Sequence, residues 1–193
     1  MDEYSDYLYN IYLTTVLSCD SRDRNCLSKL IGKMQQCTAK YLTIIDQDLT
    51  LKEFQFLVGH GNVIDLNIID VKIVDENGKQ LYLEDIVAMM PSIERISGDN
   101  IPTNEETLTK LLNVPFKSKF NKILLKSIIV RHFNPEKVIE FLKKNVSSDC
   151  KVSINFLQNV NTEQEIDQFA HTVYFGIWGF WKGNERPSFR LLA

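Results

Sequence analysis

At 193 residues, with 44% hydrophobic and 24% charged side chains, the chain is long enough and apolar enough to build a sizeable core without a disulfide or metal staple. A formal net charge of -3, from 22 basic and 25 acidic residues, supplies no basic excess of the kind that phosphate backbones demand, so nucleic acid is not expected as the main partner. The acidic start Met1-Asp2-Glu3-Tyr4 lacks the positive flank of a secretory signal. The densest apolar stretch, 173–181, falls short of a bilayer span, so no membrane partner and an intracellular location, cytoplasmic or nuclear, are expected.

In chain order, Tyr4, Tyr7, Leu8, Ile11, Tyr12 and Thr15 recur at three- and four-residue steps, and Cys26, Leu27, Leu30, Ile31 and Met34 do so again after a break at 20–23. This spacing predicts an N-terminal segment of helices over residues 1–40. From Tyr41 the period changes. Leu42-Thr43-Ile44 alternates as a half-buried strand does, and Thr50 with Glu53 forms a capping box that opens a helix carrying Leu51, Phe54 and Leu57.

The same strand-then-helix order recurs. Strands are predicted at 63–68, 93–96, 123–128 and 152–156. Helices are predicted at 83–90, after Thr103 with Glu106 as cap, after Asn134-Pro135, and after Thr162 with Glu165. The inward residues Ile44, Leu66, Ile96, Leu125 and Ile154 then recur at intervals of 22, 30, 29 and 29 by difference of residue numbers. That near-constant period predicts an α/β fold: a leucine-rich-repeat-like strand–helix solenoid over 41–172, preceded by the N-terminal helices and followed by an aromatic cap or tail at 173–193. Two residues before each inward position stand Leu42, Ile64, Glu94, Ile123 and Val152, so Glu94 breaks the series; a bulge near Gly98 is the expected reason.

In such a ladder the outward residues form the candidate contact face. Thr43, Asp65, Arg95, Leu124 and Ser153 are expected in one row, and Ile45, Asn67, Ser97, Lys126 and Asn155 in the next. In the aromatic segment Tyr174 to Trp181, Gly176, Gly179 and Gly183 argue against a regular long helix. Capping of the last repeat is the favoured reading there, ahead of a partner surface.

Nothing in the sequence reads as an active site, and no cofactor is implied. His60, His132 and His171 lack a second ligand at metal spacing, and Cys19, Cys26, Cys37 and Cys150 contain no Cys-x-x-Cys pair; buried reduced thiols are expected. The loop Gly59-His60-Gly61-Asn62 lacks phosphate-loop spacing and reads as a turn, while Asp46 and Asp48 read as acidic groups favouring a helix start. A small enzyme using His132 or His171 is the remaining outside reading.

From Tyr41 to about Phe156 the chain resembles the C-terminal region of nematode F-box proteins, of the FTH and related leucine-rich-like types. The stretches that carry the resemblance are 37–46, 49–57, 62–66, 83–93 and 133–145. It implies a protein-binding module of the kind that holds substrates for ubiquitin ligases. In that family an F-box docks a Skp-type adaptor, but the first forty residues here show neither the Leu-Pro opening nor the apolar-tryptophan ending of such a box. A standalone regulator or decoy that binds a partner without adaptor docking is therefore the alternative.

Overall fold

The computed structural model describes residues 11–157, 159–181 and 187–192. Its strands are β1 (Ile11–Leu13), β2 (Val16–Asp20), β3 (Met34–Cys37), β4 (Tyr41–Ile45), β5 (Asp48–Thr50), β6 (Asp65–Ile69), β7 (Lys72–Val74), β8 (Arg95–Asp99), β9 (Phe120–Ile128), β10 (Val146–Phe156) and β11 (Ser188–Leu192). The helices are α1 (Cys26–Ile31), α2 (Leu51–Val58), α3 (Leu83–Ala88), α4 (Thr107–Asn113), α5 (Pro135–Asn145) and α6 (Glu163–Ile177). Seven strands form one open parallel sheet in the order β2-β4-β6-β8-β9-β10-β11, alternating with helices, while β1 pairs with β3 and β5 with β7.

The N-terminal helices predicted for residues 1–40 are corrected. Residues 11–13 and 16–20 are strands, and β2 is the first strand of the main sheet; among the described residues before Tyr41, the α-helix is confined to Cys26–Ile31. The stretch from Tyr4 to Asn10 lies outside the described residues. On β2, Leu17 and Cys19 are buried while Val16, Ser18 and Asp20 are exposed, which is the two-residue period of a strand.

Where the sequence carries strong local caps, the helices start as expected. Thr50 accepts from the Glu53 amide at 3.2 Å while the Glu53 carboxylate accepts from the Thr50 amide at 2.7 Å, and Thr162 with Glu165 repeats this exchange. Asn134 caps α5 through the Lys137 amide, with Pro135 in the first turn. Thr103 is a correction. It does not cap α4; its hydroxyl faces His132 Nδ1 at 3.1 Å, and the turn into α4 is held instead by Asn104, whose Oδ1 accepts from the Glu106 amide and whose own amide donates to Thr107 Oγ1.

The strand register resolves the Glu94 anomaly. One inner rung runs Leu17, Leu42, Leu66, Ile96, Ile123, Val152, Phe189, and the next runs Cys19, Ile44, Ile68, Gly98, Leu125, Ile154, Leu191. The five residues placed on one ladder by sequence do share one sheet and one face, but they are split between these two rungs. Glu94 belongs to neither. Gly98 sits within an unbroken strand, and there is no room beside it for a side chain: a Cβ there would lie 2.1 Å from Ile101 Cδ1.

Four successive strands of the sheet are entered through the same hydrogen-bond pattern, and four reach a residue of the same backbone conformation. Just before the strand, one carbonyl accepts two amides of the next unit: Thr15 from Lys40 and Tyr41, Lys40 from Ile64 and Asp65, Ile64 from Glu94 and Arg95, Glu94 from Asn121 and Lys122. Just after the Asp99–Lys126 row stands a left-handed residue, with φ between 50° and 60°: Asp46, Asp70 and Asn100 directly follow their strands, and Ser127 lies within β9 where its register with β10 shifts.

The inward side chains and the helices share a single hydrophobic cluster, to which α2 contributes Phe54 and Leu57, α3 Ile86, α4 Leu111, α5 Phe141 and α6 Phe169. All the helices therefore cover one side of the sheet. Two buried amides brace its turns. Gln47 Oε1 accepts from the Leu27 amide at 2.8 Å, and its Nε2 shares two protons among the carbonyls of Ser21, Asp23 and Asp46. Asn161 accepts from the Val130 amide and donates to the carbonyls of Ile128 and Leu157.

Candidate partner-binding face

The side of the sheet opposite the helices is covered by no other element among the described residues, and its side chains alternate with the buried ones as the pleat dictates. All ten residues expected to point outward do so, but in different rows. Tyr41, Asp65, Arg95, Lys122 and Lys151 form the first row; Thr43, Asn67, Ser97, Leu124 and Ser153 the second; Ile45, Ile69, Asp99 and Lys126 the third. Asn155 lies beyond the second row on β10, paired with Leu192 of β11. Tyr41, Ile69, Asp99, Lys122 and Lys151 were missed from sequence. The signal for them was the same alternation carried one step further along each strand.

Within this face Arg95 donates from Nε to Asp65 Oδ2 at 2.8 Å and lies 5.7 Å from the centre of the Tyr41 ring; the Asp65 carboxylate raises the guanidinium pKa above its ordinary value. Ser127 donates to Asp99 Oδ1 at 2.6 Å, and Ser153 to Asn155 Oδ1 at 3.3 Å. A shallow open depression crosses β4, β6, β8 and β9, lined by Tyr41, Thr43, Asp65, Asn67, Ser97, Lys122 and Leu124. Ser97 at its floor is only 7% exposed. Such a surface can present hydrogen-bonding and charged groups to an extended segment while Leu124 offers apolar contact.

The remaining candidates fall elsewhere. Asp46 and Asp48 flank Arg24: the guanidinium donates to Asp48 Oδ1 at 2.6 Å, which holds that carboxyl below its usual range, and lies 3.9 Å from Asp46. His60 Nδ1 accepts from the Asn62 amide within its turn. His132, whose pKa burial and the neighbouring Arg131 push down, faces Thr103, and His171 stacks on Phe175 at 4.3 Å. Burial pushes the Cys19 thiol up to about 11, with Cys26 adding to the shift, and the Cys150 thiol up to about 12, with Asp149 adding to it; both are buried. Among the described residues no group of three or more His, Cys, Asp or Glu side chains could hold a metal ion, and no helix is long and apolar enough to cross a membrane.

The aromatic segment is partly a correction. α6 runs through Gly176 to Ile177, because the glycine is where α6 closes on α5: a Cβ on Gly176 would fall 2.2 Å from Ile139 Cδ1. Val173 and Ile177 are buried and Trp181 packs on the core, whereas Phe175 and Trp178 are 68% and 75% exposed. Gly183 lies outside the described residues. No family model, no curated protein and no solved structure matches this chain.

Proposed function

We propose that this chain is a protein-recognition module: an irregular solenoid of leucine-rich-repeat type, similar to the substrate-binding part of F-box proteins, that works by binding inside the cell and not by catalysis. The observation that carries the proposal is the uncovered face of a seven-stranded parallel sheet, whose strands, about 4.8 Å apart, bring side chains of distant residues into continuous rows. The repeated forked carbonyls and left-handed corners support the solenoid reading, as do Gln47 and Asn161, which bond backbone groups of neighbouring turns as a ladder of buried amides would.

A second reading, a recognition module acting without adaptor docking, is favoured by one feature. Residues 16–20 belong to the main sheet and 34–37 to the strand pair beside it, so this part of the chain is occupied in the repeat architecture and does not form a separate helical bundle.

The test is proximity labelling with wild type and with Asn67→Glu/Leu124→Glu, whose new carboxylates alter the face and leave the core untouched. Proteins labelled by wild type and lost with the variant are expected. An identical set from both would refute recognition through this face. A Skp-type adaptor in the set supports the F-box-associated reading, and partners without any adaptor support the second.

A further inference from the structure

We infer that the β9–β11 half of the outer face binds an acidic, extended polypeptide segment; this rests on the protein-recognition reading above. The chain as a whole is acidic, at -3, yet this half of the face gathers Lys122, Lys126, Lys151 and Arg190. None of the four makes an ion pair among the described residues, in contrast to Arg95, which Asp65 neutralises. Lys126, Lys151 and Arg190 are exposed and Lys122 is half-buried.

Lys122 and Lys151 are direct register partners on adjacent parallel strands. Like charges placed side by side across two strands destabilise a sheet. Here the fold gains nothing in return: no carboxylate of the described chain reaches either ammonium. A cost with no internal compensation points outward, to an anionic group that both lysines can hold at once.

The neighbours define the class of anion. Leu124 lies between Lys122 and Lys126 on β9, with Ser153 beside it in register, so the cations alternate with an apolar and a hydroxyl position. An extended peptide bearing carboxylates on every fourth residue, with a small or apolar residue midway between them, spaces its charges about 13 Å apart and matches that alternation. Single-stranded nucleic acid would need aromatic platforms for its bases. Among the described outward residues of this sheet the one aromatic is Tyr41, on β4 and engaged beneath Arg95.

The experiment selects short random peptides displayed against the full chain, then measures by anisotropy the binding of a fluorescein-labelled peptide with Glu at every fourth residue and Ser at the other positions. Wild type is expected to enrich peptides rich in Asp and Glu, and to bind the labelled peptide with an affinity that falls as salt rises. Lys122→Glu/Lys151→Glu should weaken that binding at least about tenfold, since both cations reverse. The single variant Lys122→Glu guards against misfolding. It places a carboxylate opposite Lys151, so it should unfold at no lower urea concentration than wild type and still lose most of the binding.

Equal binding of the labelled peptide by wild type and by the double variant overturns the inference, as does a labelled single-stranded oligonucleotide that binds wild type more tightly than the peptide. Peptides enriched without acidic bias, and lost with Asn67→Glu/Leu124→Glu, overturn the inference and leave the recognition reading standing. Enrichment that neither pair of substitutions changes removes both.

Discussion

Gly176 of α6 sits against Ile139 of α5 so closely that a methyl group on the glycine would fall 2.2 Å from Ile139 Cδ1 and 2.8 Å from its Cγ1. The two helices approach because one side chain is missing. Gly176→Ala would gain about 1 kcal/mol of helix propensity but must displace Ile139, an overpacking cost of about 1–3 kcal/mol. A net loss of about 1 kcal/mol is expected in urea unfolding. On an Ile139→Ala background, which removes the clashing atoms, the same change should become stabilising; a loss of equal size there would show that the close approach is not what excludes the methyl group.

Gln47 is fully buried and bonds four backbone groups across three segments. Gln47→Leu keeps most of the volume but strands the Leu27 amide, and should cost about 3 kcal/mol. Gln47→Glu is more informative. Its second oxygen would face the carbonyls of Ser21, Asp23 and Asp46, so the carboxyl is held protonated and its folded pKa rises above the unfolded value of about 4.3. A raised folded pKa means that the native state binds more protons, so this variant should lose stability as pH increases above about 4.3. A urea midpoint for the variant that tracks wild type at every pH would contradict this.

The corner residues Asp46, Asp70, Asn100 and Ser127 share a left-handed backbone that aspartate and asparagine tolerate and branched residues do not. At Asp46, whose contact with Arg24 is long and exposed, Asp46→Gly should leave stability within about 0.5 kcal/mol of wild type. Asp46→Val should cost about 2 kcal/mol through strain alone. Thermal unfolding of the two variants gives the comparison, and equal melting temperatures would deny the strain.

His132 loses proton affinity on folding. Burial and the nearby Arg131 lower its folded pKa, with Glu105 opposing them, so the unfolded chain takes up its proton more readily. The stabilisation from the neutral ring is complete above the unfolded value of about 6.5 and erodes as pH falls from there towards the folded one. Wild type should therefore lose more stability than His132→Gln as pH falls below about 6.5. Parallel loss in the two proteins would place the pH sensitivity elsewhere.

What could be read in the sequence was what is decided locally. Thr50 with Glu53, Thr162 with Glu165, and Asn134-Pro135 announce their helices because a cap needs only residues three apart. The face of each strand was equally legible, since alternation separates inside from outside. The rung was not. Leu42 and Ile44 are both inward aliphatics, as are Leu66 and Ile68, so a slip of two residues leaves every side chain on its proper face and only the neighbouring strand decides the register. That slip made Glu94 look anomalous and misassigned the rows of the candidate face, although each of its ten residues faces outward. The N-terminal strands were hidden for a different reason: the three- and four-residue steps of Ile11, Tyr12 and Thr15 imitate a helix, and exposed Val16 blurs the alternation of Leu17 and Cys19. Lys122 and Lys151, ordinary surface lysines in sequence, acquire meaning only when the register sets them side by side.

The forked carbonyls of Thr15, Lys40, Ile64 and Glu94 each reach only to the unit that follows. A whole unit could therefore be duplicated or deleted during evolution with every surviving joint still meeting the same kind of partner. The unequal spacing of Leu17, Leu42, Leu66, Ile96, Ile123 and Val152 shows that the segments between joints can also differ in length without moving a strand out of register.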